Sequence, residues 1–150
     1  MLDVFKGLIP ERILILSPTN KTEALKILIR RMAETDAVGD REEFERAIFE
    51  REQIMSTSIG LGVAVPHARL DSVQEIAMAI GVSPEGIDFD AFDARPIQII
   101  IMISAPAGTQ REYLSILAKI ALLLKNQNFR ENVIKVITVG YCGDGCCVRG

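Results

Sequence analysis

The chain has one histidine, His67, in the stretch "GLGVAVPHARLDS" at 60–72. It follows Pro66 directly, at the end of an apolar run punctuated by Gly60 and Gly62. Histidine is the one side chain that is both a good nitrogen nucleophile and largely neutral near pH 7. Its chemistry at such a position would be acceptance of a group, above all a phosphoryl group. That transfer asks little covalent help of the protein; it needs positioning and neutralisation of three equatorial oxygens. A suitable site offers an exposed imidazole, backbone N–H groups, hydroxyls and a fixed cation. Candidates for each are near in sequence. Pro66 favours an extended Val65. Gly60 and Gly62 allow the backbone to approach closely. Ser56, Thr57 and Ser58 carry hydroxyls, and Arg51 carries a planar, permanent charge.

Spacing alone does not bring Arg51 to His67. On composition alone Arg51 reads as a solvated residue at a helix end, while turn hydroxyls at Ser56 and Thr57 and a loop histidine without a task are equally open readings of those residues. Other chemistries fit less well. Zinc wants four ligands, and no second histidine exists and no cysteine lies near His67. The G-x-S-x-G elbow of serine hydrolases is absent from the sequence. Acid–base work by His67 with Asp71 or Asp93 remains open but unspecific.

The elements that must position these residues are those of one domain. The chain of 150 residues is long enough to bury a core without staples, and nearly half of it is apolar. A net charge of −3, few aromatics and no tryptophan give no footprint for nucleic acid. The opening "MLDVFKGLIPER" does not read as an export signal. The apolar runs 97–104 and 116–124 are too short to cross a bilayer, and Lys119 interrupts the second. The expected location is therefore cytoplasmic, with no membrane insertion. Cys142, Cys146 and Cys147 cluster among glycines at the C-terminal end. Residues 140–150 are expected to be a flexible tail following a domain at 1–139, with no metal held by the thiols.

Apolar periodicity predicts a short strand at 12–17 and a helix at 20–36 carrying Leu25, Leu28, Ile29 and Met32 inward. A second helix over 41–53 is announced by Asp40 and Glu43 in capping-box spacing, with Phe44, Ile48 and Phe49 inward. Loop and strand follow to His67, then a strand at 75–83 and a turn-rich connector at 84–96. "IQIIIMIS" at 97–104 is apolar on both faces, which predicts a central strand covered on both sides. A long helix follows at 111–126, with Leu114, Leu117, Ala121 and Leu124 as its stripe, and a short helix begins near Asn128. Helices flanking a mixed sheet make a single α/β domain.

The stretch "REQIMSTSIGLGVAVPHA" at 51–68 resembles the active-site segment of enzyme IIA of the bacterial phosphotransferase system, fructose/mannitol class. Glu52, Ile59, Gly60, Val63, Ala64, Val65, Pro66, His67 and Ala68 occupy every defined position of that pattern, and Arg51 matches its recurring "RE". The likeness continues through 86–124, and "FDAFDARP" at 89–96 is most similar to the nitrogen-regulatory branch. The resemblance implies a mixed, roughly five-stranded sheet flanked by helices, and a phosphocarrier in which a histidine-containing phosphocarrier protein donates to His67. It implies that Arg51 steadies the phosphoryl oxygens, that the Ser56–Thr57 turn borders the pocket, and that no cofactor or metal takes part. The downstream partner would be an enzyme IIB or a regulatory target protein. One position departs from the family. Many members carry a second histidine where this chain has Tyr113, in "Y-L-x-x-L". A tyrosine hydroxyl also donates but stays neutral. That leaves three readings: a regulatory phosphocarrier, a carrier for sugar transport, and a binding module that no longer takes phosphate.

Overall fold

The computed structural model describes residues 5, 7–17 and 20–143. A 3-10 turn at Pro10–Arg12 leads into β1 (Ile13–Ile15). Two helices follow, α1 (Lys21–Glu34) and α2 (Arg41–Ile54). Each starts at a side-chain cap: Asn20 accepts from Glu23 N at 2.9 Å, and Asp40 accepts from Glu43 N at 3.0 Å. Such caps satisfy N–H groups the helix cannot, worth about 1 kcal/mol each.

Three short strands come next: β2 (Ser58–Gly60), β3 (Val63–Ala64) and β4 (His67–Leu70). The long strands β5 (Ala77–Ile87) and β6 (Ile97–Pro106) pair antiparallel from Ala77↔Ser104 to Ile87↔Ile97. Helices α3 (Gln110–Leu124) and α4 (Gln127–Gly143) complete the described residues. The sheet is six-stranded and mixed, in the order β1-β5-β6-β3-β2, with β4 also on β6. Expectation and structure agree on a single α/β domain.

β6 is the central strand the apolar run predicts. Ile100 and Met102 pack with Leu25, Leu28, Ile29, Met32, Phe44 and Ile48 of α1 and α2. On the other face Ile99, Ile101 and Ile103 pack with residues of α3 and α4. One strand thus feeds two cores, as a sheet covered on both sides requires.

Three expectations shift. β5 runs on to Ile87, past a register irregularity, so its last residues come from the expected connector. The buried stripe of α3 is Tyr113, Ile116, Ile120 and Leu124, while Leu114 is exposed. Both stripes have helical spacing, and only contact with the sheet chooses between them. α4 is longer than expected and its backbone continues through Gly140 to Gly143, because a glycine inside a helix costs only about 1 kcal/mol. Cys142 lies on that backbone; Cys146 and Cys147 lie outside the described residues.

The most consequential local feature is a break beside β6. β3 pairs parallel with β6 at Ile99 and Ile100, and β4 pairs parallel with it at Ile103 to Pro106. They are one strand interrupted at Val65–Pro66, and His67 is the first residue after the interruption.

Candidate functional site

The turn before β3 explains the glycines. Gly60, Leu61 and Gly62 all have positive φ, at 86°, 61° and 78°. Glycine adopts this region without steric cost, and Leu61 is held there as its N–H donates to Asp93 Oδ2 at 3.1 Å. The glycines therefore serve a tight β2–β3 turn, which carries the chain back along β6 toward the break.

At the break the imidazole is fixed in orientation. His67 Nδ1 lies 2.6 Å from the carbonyl oxygen of Val65. A carbonyl only accepts, so Nδ1 carries the proton and donates, and Nε2 is left with its lone pair. The ring is half-buried. Burial is the main cause that lowers its pKa below the ordinary imidazole value. The bond to Val65 pulls the other way, the charges of Arg51 and Arg69 lower it further, and Glu52 raises it. The net direction keeps the ring neutral at physiological pH, which is the state of a nucleophile.

Arg51 stands in the last turn of α2, with Nη1 donating to Met55 O at 2.9 Å. Its charge reaches His67 and lowers the pKa of the imidazole, a proximity that sequence spacing alone did not give. Ser56 donates to Phe89 O at 3.4 Å and accepts from Ser58 N at 3.2 Å, so its hydroxyl holds the turn. Thr57 is buried, and its hydroxyl donates to Glu52 Oε1. That proton is spent inside the protein, so Thr57 supports the site from behind.

Tyr113 is where the family difference becomes geometry. Its ring centroid lies 5.6 Å from that of His67, tilted by 58°, within the range of favourable aromatic contact. Burial pushes its phenol pKa up, so it stays a neutral donor. Over its ring, 5.4 Å from the centroid, sits the guanidinium of Arg69. Sequence reasoning missed Arg69. The available signal was alternation: on a strand, the residue two after His67 shares its face.

Glu52 was noted only as a pattern position. It is buried, and its carboxylate gathers Lys21 Nζ at 2.9 Å and Thr57 N at 3.2 Å. Ile54 and Met55, at the end of α2, and Phe92 are among the exposed large apolar side chains. Among the described residues no group of three or more potential metal ligands gathers. A separate cleft of about 790 Å³, lined by Arg12, Asp36, Ser72, Glu75 and Glu112 among others, does not include His67.

The fold and this site define an α/β domain that presents one neutral, oriented imidazole within the electrostatic reach of Arg51 and Arg69. The sequence model of the phosphoenolpyruvate-dependent sugar phosphotransferase system EIIA 2 family matches residues 8–139, and the chain belongs to that family. It is 34% identical over 118 residues to a fructose-specific EIIA component of Haloferax volcanii, covering 79% of this chain and 77% of that protein. It is 33% identical over 125 residues to a nitrogen regulatory protein of Bradyrhizobium diazoefficiens, covering 83% of this chain and 81% of the other. The solved structure of the nitrogen regulatory protein IIA-Ntr from Neisseria meningitidis superposes with a TM-score of 0.81 at 24% identity, over 89% of this chain and 91% of that one. This last likeness concerns the fold, and the mixed sheet flanked by helices is common to both. No helix among the described residues is long and apolar enough to cross a membrane.

Proposed function

We propose that this chain is a phosphocarrier whose acceptor atom is His67 Nε2. The observation that carries the reading is the 2.6 Å contact between His67 Nδ1 and Val65 O, which leaves Nε2 unprotonated on a partly exposed ring. The donor is the phosphohistidine of a histidine-containing phosphocarrier protein. The donor's P–N bond breaks as the Nε2–P bond forms, and the donor imidazole leaves. Positive character developing on the His67 ring is held by the Nδ1–H bond to Val65. Arg51 and Arg69 face the negative oxygens in transit, and a guanidinium fits that geometry better than an ammonium. Tyr113 offers a neutral hydroxyl where many relatives have a second histidine, and Arg69 above it supplies a cation in that neighbourhood. The apolar side chains Ile54, Met55 and Phe92 suit a transient protein contact, and the reaction takes place in the cytoplasm.

The output we favour is regulatory, on the likeness of 89–96 to the nitrogen-regulatory branch. A phosphoryl group placed on this surface changes its charge and so its complementarity to a partner, without refolding. The competing output is delivery to an enzyme IIB in sugar uptake. The test mixes the protein with phosphoenolpyruvate, enzyme I and the phosphocarrier protein and reads intact mass, with His67→Ala alongside. An acid-labile adduct on the wild type alone is expected. Absence of the adduct, with the donor shown to be phosphorylated, would overturn the carrier reading. Adding an enzyme IIB of the fructose or mannitol class then separates the outputs: loss of the adduct to it marks transport.

A further inference from the structure

Neutral histidine has two tautomers of similar free energy, so an acceptor nitrogen must be chosen by its surroundings. Here the choice lies with the carbonyl of Val65, next to a proline. Pro66 has no N–H and cannot donate to a neighbour. Two backbone hydrogen bonds flank the interruption. On the side of β6, Ile103 N donates to Pro66 O at 2.9 Å. On the other side, Val65 N donates to Thr57 O at 3.0 Å. Thr57 in turn is held at both its N–H and its hydroxyl by the two carboxylate oxygens of Glu52.

Glu52 is itself placed from a distance in sequence. Its side chain is only 4% exposed, and Lys21 Nζ from the first turn of α1 lies 2.9 Å from Oε2. Lys21 also rests over the ring of buried Phe89, 4.5 Å from its centroid. A buried carboxylate is tolerable only when its charge and its lone pairs are met, and three donors do so here.

We propose that Glu52, braced by Lys21, is a positioning residue that sets the tautomer and aim of His67 through Thr57 and Val65. The inference rests on His67 being the acceptor. The path runs from α1 through α2 and the turn before β2 to the end of β3, without Glu52 touching the reacting atoms. Other charged or titratable groups facing His67 are Arg51 from α2, Arg69 from β4 and Tyr113 from α3. Glu52, unlike Arg51 and Arg69, favours the protonated ring.

The single histidine makes the test direct. Nitrogen NMR of the imidazole reads the tautomer and its titration in the free protein, independently of any donor. Wild type is expected to hold Nδ1–H. Glu52→Gln and Lys21→Met are expected to mix the tautomers and lower kcat for phosphoryl acceptance roughly tenfold or more, with KM little changed. In Glu52→Gln the imidazole pKa should fall further. Glu52→Asp should recover part of both signals. Should Glu52→Gln fail to fold, Lys21→Met decides, since its side chain is partly exposed. Folded variants with the wild-type tautomer and rate would overturn the proposal, as would a loss of thermal stability alone. A tautomer change in variants of a wild type that takes no phosphoryl group would instead support the positioning and refute the carrier.

Discussion

The two sides of β6 are built differently. Toward β5 the ladder is long and continuous from Ala77↔Ser104 to Val82↔Ile99, and pairs such as Ile80↔Ile101 and Ala79↔Met102 are buried. Toward β3 and β4 the ladder is short, broken at Val65–Pro66 and resumed at His67. The continuous side buries apolar surface and carries stability. The broken side gives up regular pairing, and in return frees a carbonyl to orient an imidazole. A proline in the middle of a central strand would be poorly tolerated; at this break its missing N–H costs nothing that the ladder needs.

That contrast can be broken on either side. The largest effect is expected from His67→Ala, which should abolish the phosphoryl adduct while urea unfolding changes little; intact mass and a denaturation curve check both halves. Ile101→Ala should do the reverse. Ile101 is 2% exposed in the core under α3 and α4, and its truncation should cost about 2–5 kcal/mol. Where the variant remains folded, its adduct should still form. Next comes Arg51→Ala, or Arg69→Met, each expected to slow acceptance by about ten- to a hundredfold with little loss of stability, the outcome that the proposed role as donors to developing charge requires. Single-turnover rates with phosphorylated donor measure this.

The smallest effects sharpen the electrostatics. Tyr113→Phe should lower the rate only a few-fold, because the ring contact survives and one neutral donor is lost. In the wild type the acid limb of the pH–rate profile should lie below the ordinary imidazole pKa of about 6.5, since burial lowers that of His67. The same shift has a stability consequence. Between about pH 6.5 and the lower folded value, the unfolded chain binds a proton that the folded chain refuses. His67 therefore takes stability away as pH falls through that window, and His67→Ala should flatten the acid side of the stability curve.

Much of this architecture was legible. α1 and α2 declared themselves by apolar spacing, and α2 also by Asp40 at its start; the cap at Asn20 was seen only in the structure. The run at 97–104 declared a two-sided central strand because no polar face interrupts it. His67 stood out by rarity and by Pro66 before it. The rest needed partners. The α3 stripe was read one residue off at every position but Leu124, since Leu114, Leu117 and Ala121 suit a helix as well as Tyr113, Ile116 and Ile120 and only the sheet distinguishes them. The roles of Arg69 and Glu52 were missed because neither is local: Arg69 acts across to Tyr113 on α3, and Glu52 answers to Lys21, 31 positions earlier in "KTEALK".

By itself the sequence determined the element types, the two-sided strand, the motif at 51–68 and hence the family. These follow from periodicity, turn chemistry and residue identity, which are properties of neighbours along the chain. Only the tertiary structure decided which nitrogen of His67 is bare, which charges act on it, and that the Thr57 hydroxyl points inward to Glu52. Those outcomes depend on the direction of a carbonyl and the approach of separate helices. A hydrogen bond is decided over tenths of an ångström, and spacing in sequence carries no information at that scale.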